Sequence, residues 1–138
     1  MTEARFIRRR RFRASHYYRR GEWSESRNRE VFGVQSEPHE HEWTLEVRVV
    51  GPVDPETGFA VDLAVIDALL LDTLDGWDGG DLNRLVPAVA VPTTEALAKA
   101  IFDAMVHRVP APARLECVAL FESPDLGAEY PVGRSPHG

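Results

Sequence analysis

His41-Glu42-Trp43-Thr44-Leu45-Glu46-Val47-Arg48-Val49-Val50 alternates polar and apolar side chains over almost its whole length. In an extended chain successive side chains point to opposite faces, so Trp43, Leu45, Val47 and Val49 share one face and Glu42, Thr44, Glu46 and Arg48 the other. That pattern predicts a half-buried antiparallel strand. Gly51-Pro52-Val53-Asp54-Pro55-Glu56-Thr57-Gly58 follows, with prolines that fix φ and a glycine free to take positive φ, which predicts a turn. A short strand at Phe59 to Val61 is then expected to close a β-hairpin.

Upstream, Phe6 to His16 reads as a strand with Ile7, Arg9, Arg11 and Arg13 on one face. Tyr17 to Ser36 is polar and reads as a long loop, a class of segment that in compact domains tends to be functional or disordered. Downstream, Asp62 is placed to cap a helix marked by Leu63, Ile66, Leu70 and Leu74. A second helix is expected after Pro92, with Thr93 as N-cap, Glu95 in the first turn, Leu97, Ile101, Ala104 and Met105 inward, and His107 and Arg108 at its C-terminal end. Arg114 to Glu122 alternates again, with Leu115, Cys117, Ala119 and Phe121 on one side, and a short strand is expected near Tyr130. The fold class is α+β: an antiparallel sheet with two helices on one face.

The chain has 138 residues, 43% of them apolar, which suits one domain spanning residues 1–138. Its longest apolar stretch, Leu63 to Leu74, is broken by Asp67 and Asp72, and no apolar signal segment follows the N-terminal arginines. A soluble protein is expected, with no membrane partner. The single cysteine, Cys117, excludes an internal disulfide and any multi-cysteine metal site, and points to a cytoplasmic location. Charge is uneven: the first 29 residues hold ten arginines against three glutamates, whereas the whole chain carries −6. Arg8-Arg9-Arg10-Arg11 raises nucleic-acid binding, but no aromatic or glycine pattern of an RNA-binding module accompanies it, and the acidic remainder would repel phosphate. A basic strand meeting acidic surface, in the same subunit or a neighbour, is the expected arrangement.

Three histidines carry the chemical signal. His39 and His41 are two apart at the start of a strand, so their rings share a face, and His16 ends the strand that pairing can bring beside them. Three imidazoles with an open fourth position is the arrangement of a catalytic zinc. Spacing alone goes no further, since a His-x-His pair in a polar segment is more often surface decoration.

Six segments in register resemble the 6-pyruvoyl-tetrahydropterin synthase and 6-carboxytetrahydropterin synthase family. Phe12-Arg13-Ala14-Ser15-His16 is similar to its F-x-A-S-H segment, and His39-Glu40-His41 to its H-G-H. Gly51 to Gly58 resembles its hairpin turn, Leu74-Asp75 with Leu82-Asn83 its L-D-H…L-N loop, Pro92-Thr93-Thr94-Glu95 its P-T-T-E helix start, and Leu120-Phe121-Glu122-Ser123 its Y-E-T strand end. The resemblance implies a tunnelling fold, in which subunits assemble their sheets into an oligomeric β-barrel, usually as two stacked trimers. A homohexamer is expected. It also implies zinc on His16, His39 and His41, and a pterin ring held by Thr93, Thr94 and Glu122, with Thr93 equally suited to capping a helix.

The departures are as specific. Where many members have a cysteine, four residues before the first histidine of H-G-H, this chain has Gln35, and the histidine after Asp75 is replaced by Gly76 in a longer, glycine-rich loop. An amide neither takes a proton nor attacks. Glu40 also replaces the glycine between the paired histidines, so zinc occupancy is left open. The expectation is a divergent member that binds a pterin-like ligand without the family's triphosphate elimination. The alternative is a lyase acting on another pterin or deazapurine-pathway substrate, with Glu37, Asp75 or Asp78 as replacement base.

Overall fold

The computed structural model describes residues 2–133. The strands are β1 (Glu3–His16), β2 (His39–Pro52), β3 (Gly80–Asp81), β4 (Arg114–Ser123) and β5 (Leu126–Tyr130). The helices are α1 (Glu25–Phe32), α2 (Leu63–Thr73), α3 (Leu82–Leu85) and α4 (Thr94–Met105), with a 3-10 turn at Gly33–Ser36. One five-stranded sheet runs in the order β3-β1-β2-β4-β5, antiparallel except where the two-residue β3 lies parallel to the end of β1. This is the α+β architecture expected from the alternation.

One sheet face is apolar and covered. Phe12, Ala14, Trp43, Leu45, Val47 and Val49 meet Ile66, Leu69 and Leu70 of α2 and Leu97, Ala98, Ile101 and Met105 of α4 in a single core. Asp62 caps α2 through the Ala64 amide, and Thr93 caps α4 through the Ala96 amide, as their sequence positions suggest. Two helix positions differ from expectation. Leu63 is exposed at the start of α2, its place inside being taken by Leu69, and Ala104 faces outward. His107 and Arg108 lie beyond α4, in the turn after it.

The other face carries the charges. Arg9 lies directly opposite Glu46 and Arg13 opposite Glu42 across the β1–β2 ladder, and the basic strand is met by carboxylates of the same subunit. Arg5 pairs with Glu116, Arg9 with Glu46, and Arg13 with Glu40 and Glu42, while on the covered face Arg8 pairs with Asp67. Cross-strand pairs of opposite charge stabilise a sheet modestly and fix its register.

Three other expectations are corrected. Residues 59–61 form no strand, because β1 pairs with β2 as far as Pro52 and β4 takes its other edge up to Val50, leaving no free ladder for a hairpin partner. The turn closes instead by Asp54 and Phe59 backbone pairing. Second, the segment read as a loop holds α1 and the 3-10 turn. Ser24 caps α1 through the Arg27 amide, and Asn28, its one buried residue, bonds the Arg20 backbone in both directions. Third, β4 changes phase. A bulge between its pairing with Arg48 and with Val49 puts Leu115 on the covered face with Val118, Leu120 and Glu122, and leaves Cys117, Ala119 and Phe121 on the charged face.

The glycine-rich loop is tied down at both its turns and its middle. Gly76 and Gly79 take φ of 77° and 78°, the left-handed region. Trp77 between them is buried edge-on against Phe12, with ring centroids 5.6 Å apart. Gly79 donates to the Arg13 carbonyl and the Asp78 carboxylate accepts from the Arg13 amide, so the loop is stitched to the β1 edge where β3 pairs.

Candidate functional site

Register places three imidazoles together. His16 pairs directly with His39 at the end of the β1–β2 ladder, and His41 follows two residues along β2 on the same face. One ligand nitrogen from each ring lies within 4.8 Å of the others. Two of the three rings are oriented from behind: His16 Nδ1 donates to the Pro92 carbonyl at 2.8 Å, and His39 Nδ1 donates to the Glu37 carbonyl at 2.9 Å. A carbonyl accepts only, so Nδ1 carries the proton and Nε2 presents its lone pair, the pattern by which an outer group sets a metal-binding tautomer. His16 is fully buried, and its Nε2 is one of two buried side-chain polar atoms without a partner among the described residues.

Burial pushes His16 down to about 4, the neighbouring histidines adding to the effect and the Pro92 carbonyl opposing it. His41 is lowered as well, chiefly by burial, against the pull of Glu122. A buried His16 with an orphaned Nε2, and two further imidazoles beside it, are what a cation would meet, so the residues present fit a three-histidine metal site.

Glu122 joins this cluster from β4. Its Oε2 accepts from Thr94 Oγ1 at 3.2 Å and lies 3.6 Å from His41 Nε2 and 3.9 Å from His16 Nε2. Both Thr94 and Glu122 are buried. The bulge in β4 makes this possible, because it returns Glu122 to the covered face. Thr93 lines the same hollow, but its hydroxyl accepts from the Ala96 amide as helix cap.

The hollow is a cup of about 240 Å³, lined by Tyr18, Gln35, Thr93, Thr94, Glu95, Glu122, Leu126 and Gly127. Tyr18 stands between cup and histidines, its ring edge-on to His16 and His39 at centroid distances of 4.9 and 5.8 Å. Burial raises its phenol to about 12, with Glu122 and Glu95 adding to the effect. A larger groove of about 810 Å³ runs between β1 and the 52–63 turn, away from all of these groups. Gln35 sits in the cup as its register suggests. Cys117 does not: it is buried on the opposite sheet face, and burial pushes its thiol up. Among the described residues of this subunit Glu37, Asp75 and Asp78 are not in the cup wall either. Glu37 contributes its backbone carbonyl to His39, Asp75 is exposed, and Asp78 holds the Arg13 amide. Tyr18 and Glu95 are cup residues to which spacing gave no functional pointer.

The family model for 6-pyruvoyl tetrahydropterin synthase matches residues 5–132. The chain belongs to the 6-pyruvoyl tetrahydropterin synthase family. It is 35% identical over 108 residues to a 6-pyruvoyl tetrahydrobiopterin synthase of Poecilia reticulata, covering 72% of this chain and 71% of that protein. It is 30% identical over 117 residues to a Caenorhabditis elegans protein named as a synthase of the same kind, covering 82% and 84%. The solved structure of the Caenorhabditis elegans synthase superimposes with a TM-score of 0.86 at 26% identity, covering 96% of this chain and 98% of that one. The Plasmodium vivax synthase shares the fold at a TM-score of 0.67 and 13% identity. The fold is thus the tunnelling fold of the synthase family, built here on the β3-β1-β2-β4-β5 sheet. No helix among the described residues is long and apolar enough to cross a membrane.

Proposed function

We propose that this family member binds a pterin-like ligand in the cup, carries zinc on His16, His39 and His41, and does not perform the family's triphosphate elimination by a thiol route. The observation that carries the reading is the Thr94–Glu122 pair, buried beside the three histidines in a cup whose wall has Gln35 where a cysteine is usual. A carboxylate suits the ring of a pterin, since it accepts from neighbouring amino and N–H donors in a paired geometry and a ring lacking those donors leaves it unsatisfied. Zinc held by the three rings supplies Lewis acidity toward an oxygen on the ligand's side chain. Thr94 fixes Glu122, Pro92 and Glu37 fix two of the imidazoles, and no group in the wall of this subunit's cup has the nucleophilicity or basicity of a thiolate. The homohexamer implied by the fold completes the proposal, with like subunits closing the barrel.

The test is incubation with dihydroneopterin triphosphate, following pterin product and released triphosphate. Calorimetric binding of a pterin without turnover is the expected result, and turnover comparable to an authentic synthase overturns it. A second reading keeps a reaction. Glu95 places a carboxylate in the cup, and the Plasmodium vivax synthase has been solved as variants of a catalytic glutamate. Under this reading a pterin or deazapurine metabolite is converted with Glu95 as base, and mass spectrometry of a substrate panel decides it, with loss of any conversion in Glu95→Gln expected.

A further inference from the structure

Among the described residues the sheet buries two carboxylates, and they are compensated differently. Glu46, 5% exposed on the charged face, lies between the Arg9 and Arg48 guanidinium groups. Glu122, 8% exposed on the covered face, has no lysine or arginine beside it among the described residues. Its hydrogen bond comes from the Thr94 hydroxyl, a neutral donor. A charge taken out of water is costly unless it is paired or meets a metal ion, so Glu122 lacks the kind of partner that Glu46 has.

What faces Glu122 is a second acceptor. His16 Nδ1 is taken up by the Pro92 carbonyl, so Nε2 offers a lone pair, and that atom is buried without a partner among the described residues. Glu122 Oε2 stands 3.9 Å from it and 3.6 Å from His41 Nε2, beyond hydrogen-bond distance of either. Two acceptors held face to face in this way are reconciled by a cation. Atoms at about 2.0–2.1 Å from a tetrahedral zinc lie about 3.4 Å from one another, so the spacing of carboxylate and imidazoles suits a shared ion. Resting on the reading of the cup as a metal and pterin site, we propose that Glu122 is the fourth metal ligand of the ring-free protein, and that a pterin ring takes its carboxylate off the metal. The histidines hold the ion in both states and Glu122 exchanges. A ring that presents an amino group and a neighbouring N–H engages both carboxylate oxygens, which leaves neither for the ion. The fourth position is therefore closed in the empty cup and opens once a ring is seated. By linkage, ring and metal weaken each other's binding by the same factor.

Cobalt(II) tests this without any turnover, because its visible absorption follows the number and kind of its ligands. Chelator-treated wild type should bind it, and Glu122→Gln should bind it at least about tenfold more weakly and with an altered spectrum. Glu95→Gln removes an equal charge from the cup wall and should keep the wild-type affinity and spectrum. Adding 6-methyl-7,8-dihydropterin, which has the ring donors and no side-chain oxygen, should change the spectrum of cobalt-loaded wild type and weaken its hold on the metal, and should leave the Glu122→Gln spectrum as it was. The wild-type titration needs no variant, so it stands even where Glu122→Gln folds poorly. A Glu122→Gln spectrum identical to wild type, or equal losses of cobalt affinity in both Gln variants, overturns Glu122 as a ligand and leaves the three-histidine and ring readings standing. A pterin that binds wild type by calorimetry without moving the spectrum overturns the exchange. Failure of wild type to bind cobalt removes the metal reading and the proposal with it, and failure to bind the pterin removes the ring reading and the exchange.

Discussion

Thr94, in the first turn of α4, donates its hydroxyl to the Glu122 carboxylate near the end of β4, 28 residues on, and both side chains are buried. The contact ties the helix start to the strand end that forms the cup wall. It also fixes which carboxylate oxygen faces the histidines, since the atom that accepts from Thr94 is the one nearest His41 and His16.

Replacing Glu122 by Gln exchanges an acceptor for a donor at the ring end. Hydrogen bonds to charged groups contribute roughly 1.5–3 kcal/mol, so pterin affinity should fall about tenfold to more than a hundredfold. Thr94→Val removes one neutral donor and should cost less, about threefold to tenfold. Calorimetric titration with 6-methyl-7,8-dihydropterin measures both, and wild-type affinity in Glu122→Gln rules out this use of the pocket.

Metal binding should appear first as stability. A ligand that binds only the folded state raises its stability by mass action, about 2.7 kcal/mol at a hundredfold excess over Kd. Zinc should therefore raise the thermal midpoint of chelator-treated protein, and elemental analysis should find one ion per chain. His39→Ala and His41→Ala, which leave the core filled, should abolish the shift. A midpoint indifferent to zinc in wild type would remove the metal from the proposal.

Acid should act through Glu46, buried on the charged sheet face between Arg9 and Arg48. Burial works to raise its carboxyl, but hydrogen bonds and charge from Arg48 and Arg9 outweigh it and hold it below the ordinary 4.5. The folded chain then binds this proton less readily than the unfolded chain, so the contribution is complete above the ordinary value and is lost as pH falls through the folded one. Glu46→Gln should lower the midpoint by several degrees at pH 7, and the gap to wild type should close on titration toward pH 3. A gap independent of pH would show that packing and not charge sets the effect.

Assembly should be hexameric, in a particle about six times the 15.5 kDa subunit. β3 pairs with Ala14 and Ser15 and the preceding loop takes the Arg13 backbone, so among the described residues 3–12 present an unpaired edge that a neighbouring subunit can extend. Light scattering at micromolar concentration checks this, and a monomeric mass refutes it.

The features that were legible in sequence are those with a periodic apolar cause. Trp43, Leu45, Val47 and Val49 alternate because one face of β2 meets two helices. α1 was not legible, since its single buried residue is Asn28 and its hold is polar, so no apolar stripe exists to be read. The expected strand at 59–61 failed for a non-local reason, both edges of β2 being occupied by β1 and β4. Phase in β4 was misread because a bulge shows no compositional mark. The three histidines were visible as a pair two apart and a strand end, whereas Thr94 and Glu122 came into view only through family register, since their meeting depends on the bulge in β4. Tyr18 carried no signal, because its neighbours are made by the path of residues 17–36 and not by spacing.

The loop that carries Gly76 limits which side chains this end of the sheet can take. Gly76 holds φ of 77°, where an L side chain is strained, and Trp77 next to it is a core residue. Gly76→His should accordingly lower the thermal midpoint, as a melting curve beside wild type would show. Turn geometry and core packing share this loop, so a change made for chemistry at residue 76 is at the same time a change to the fold.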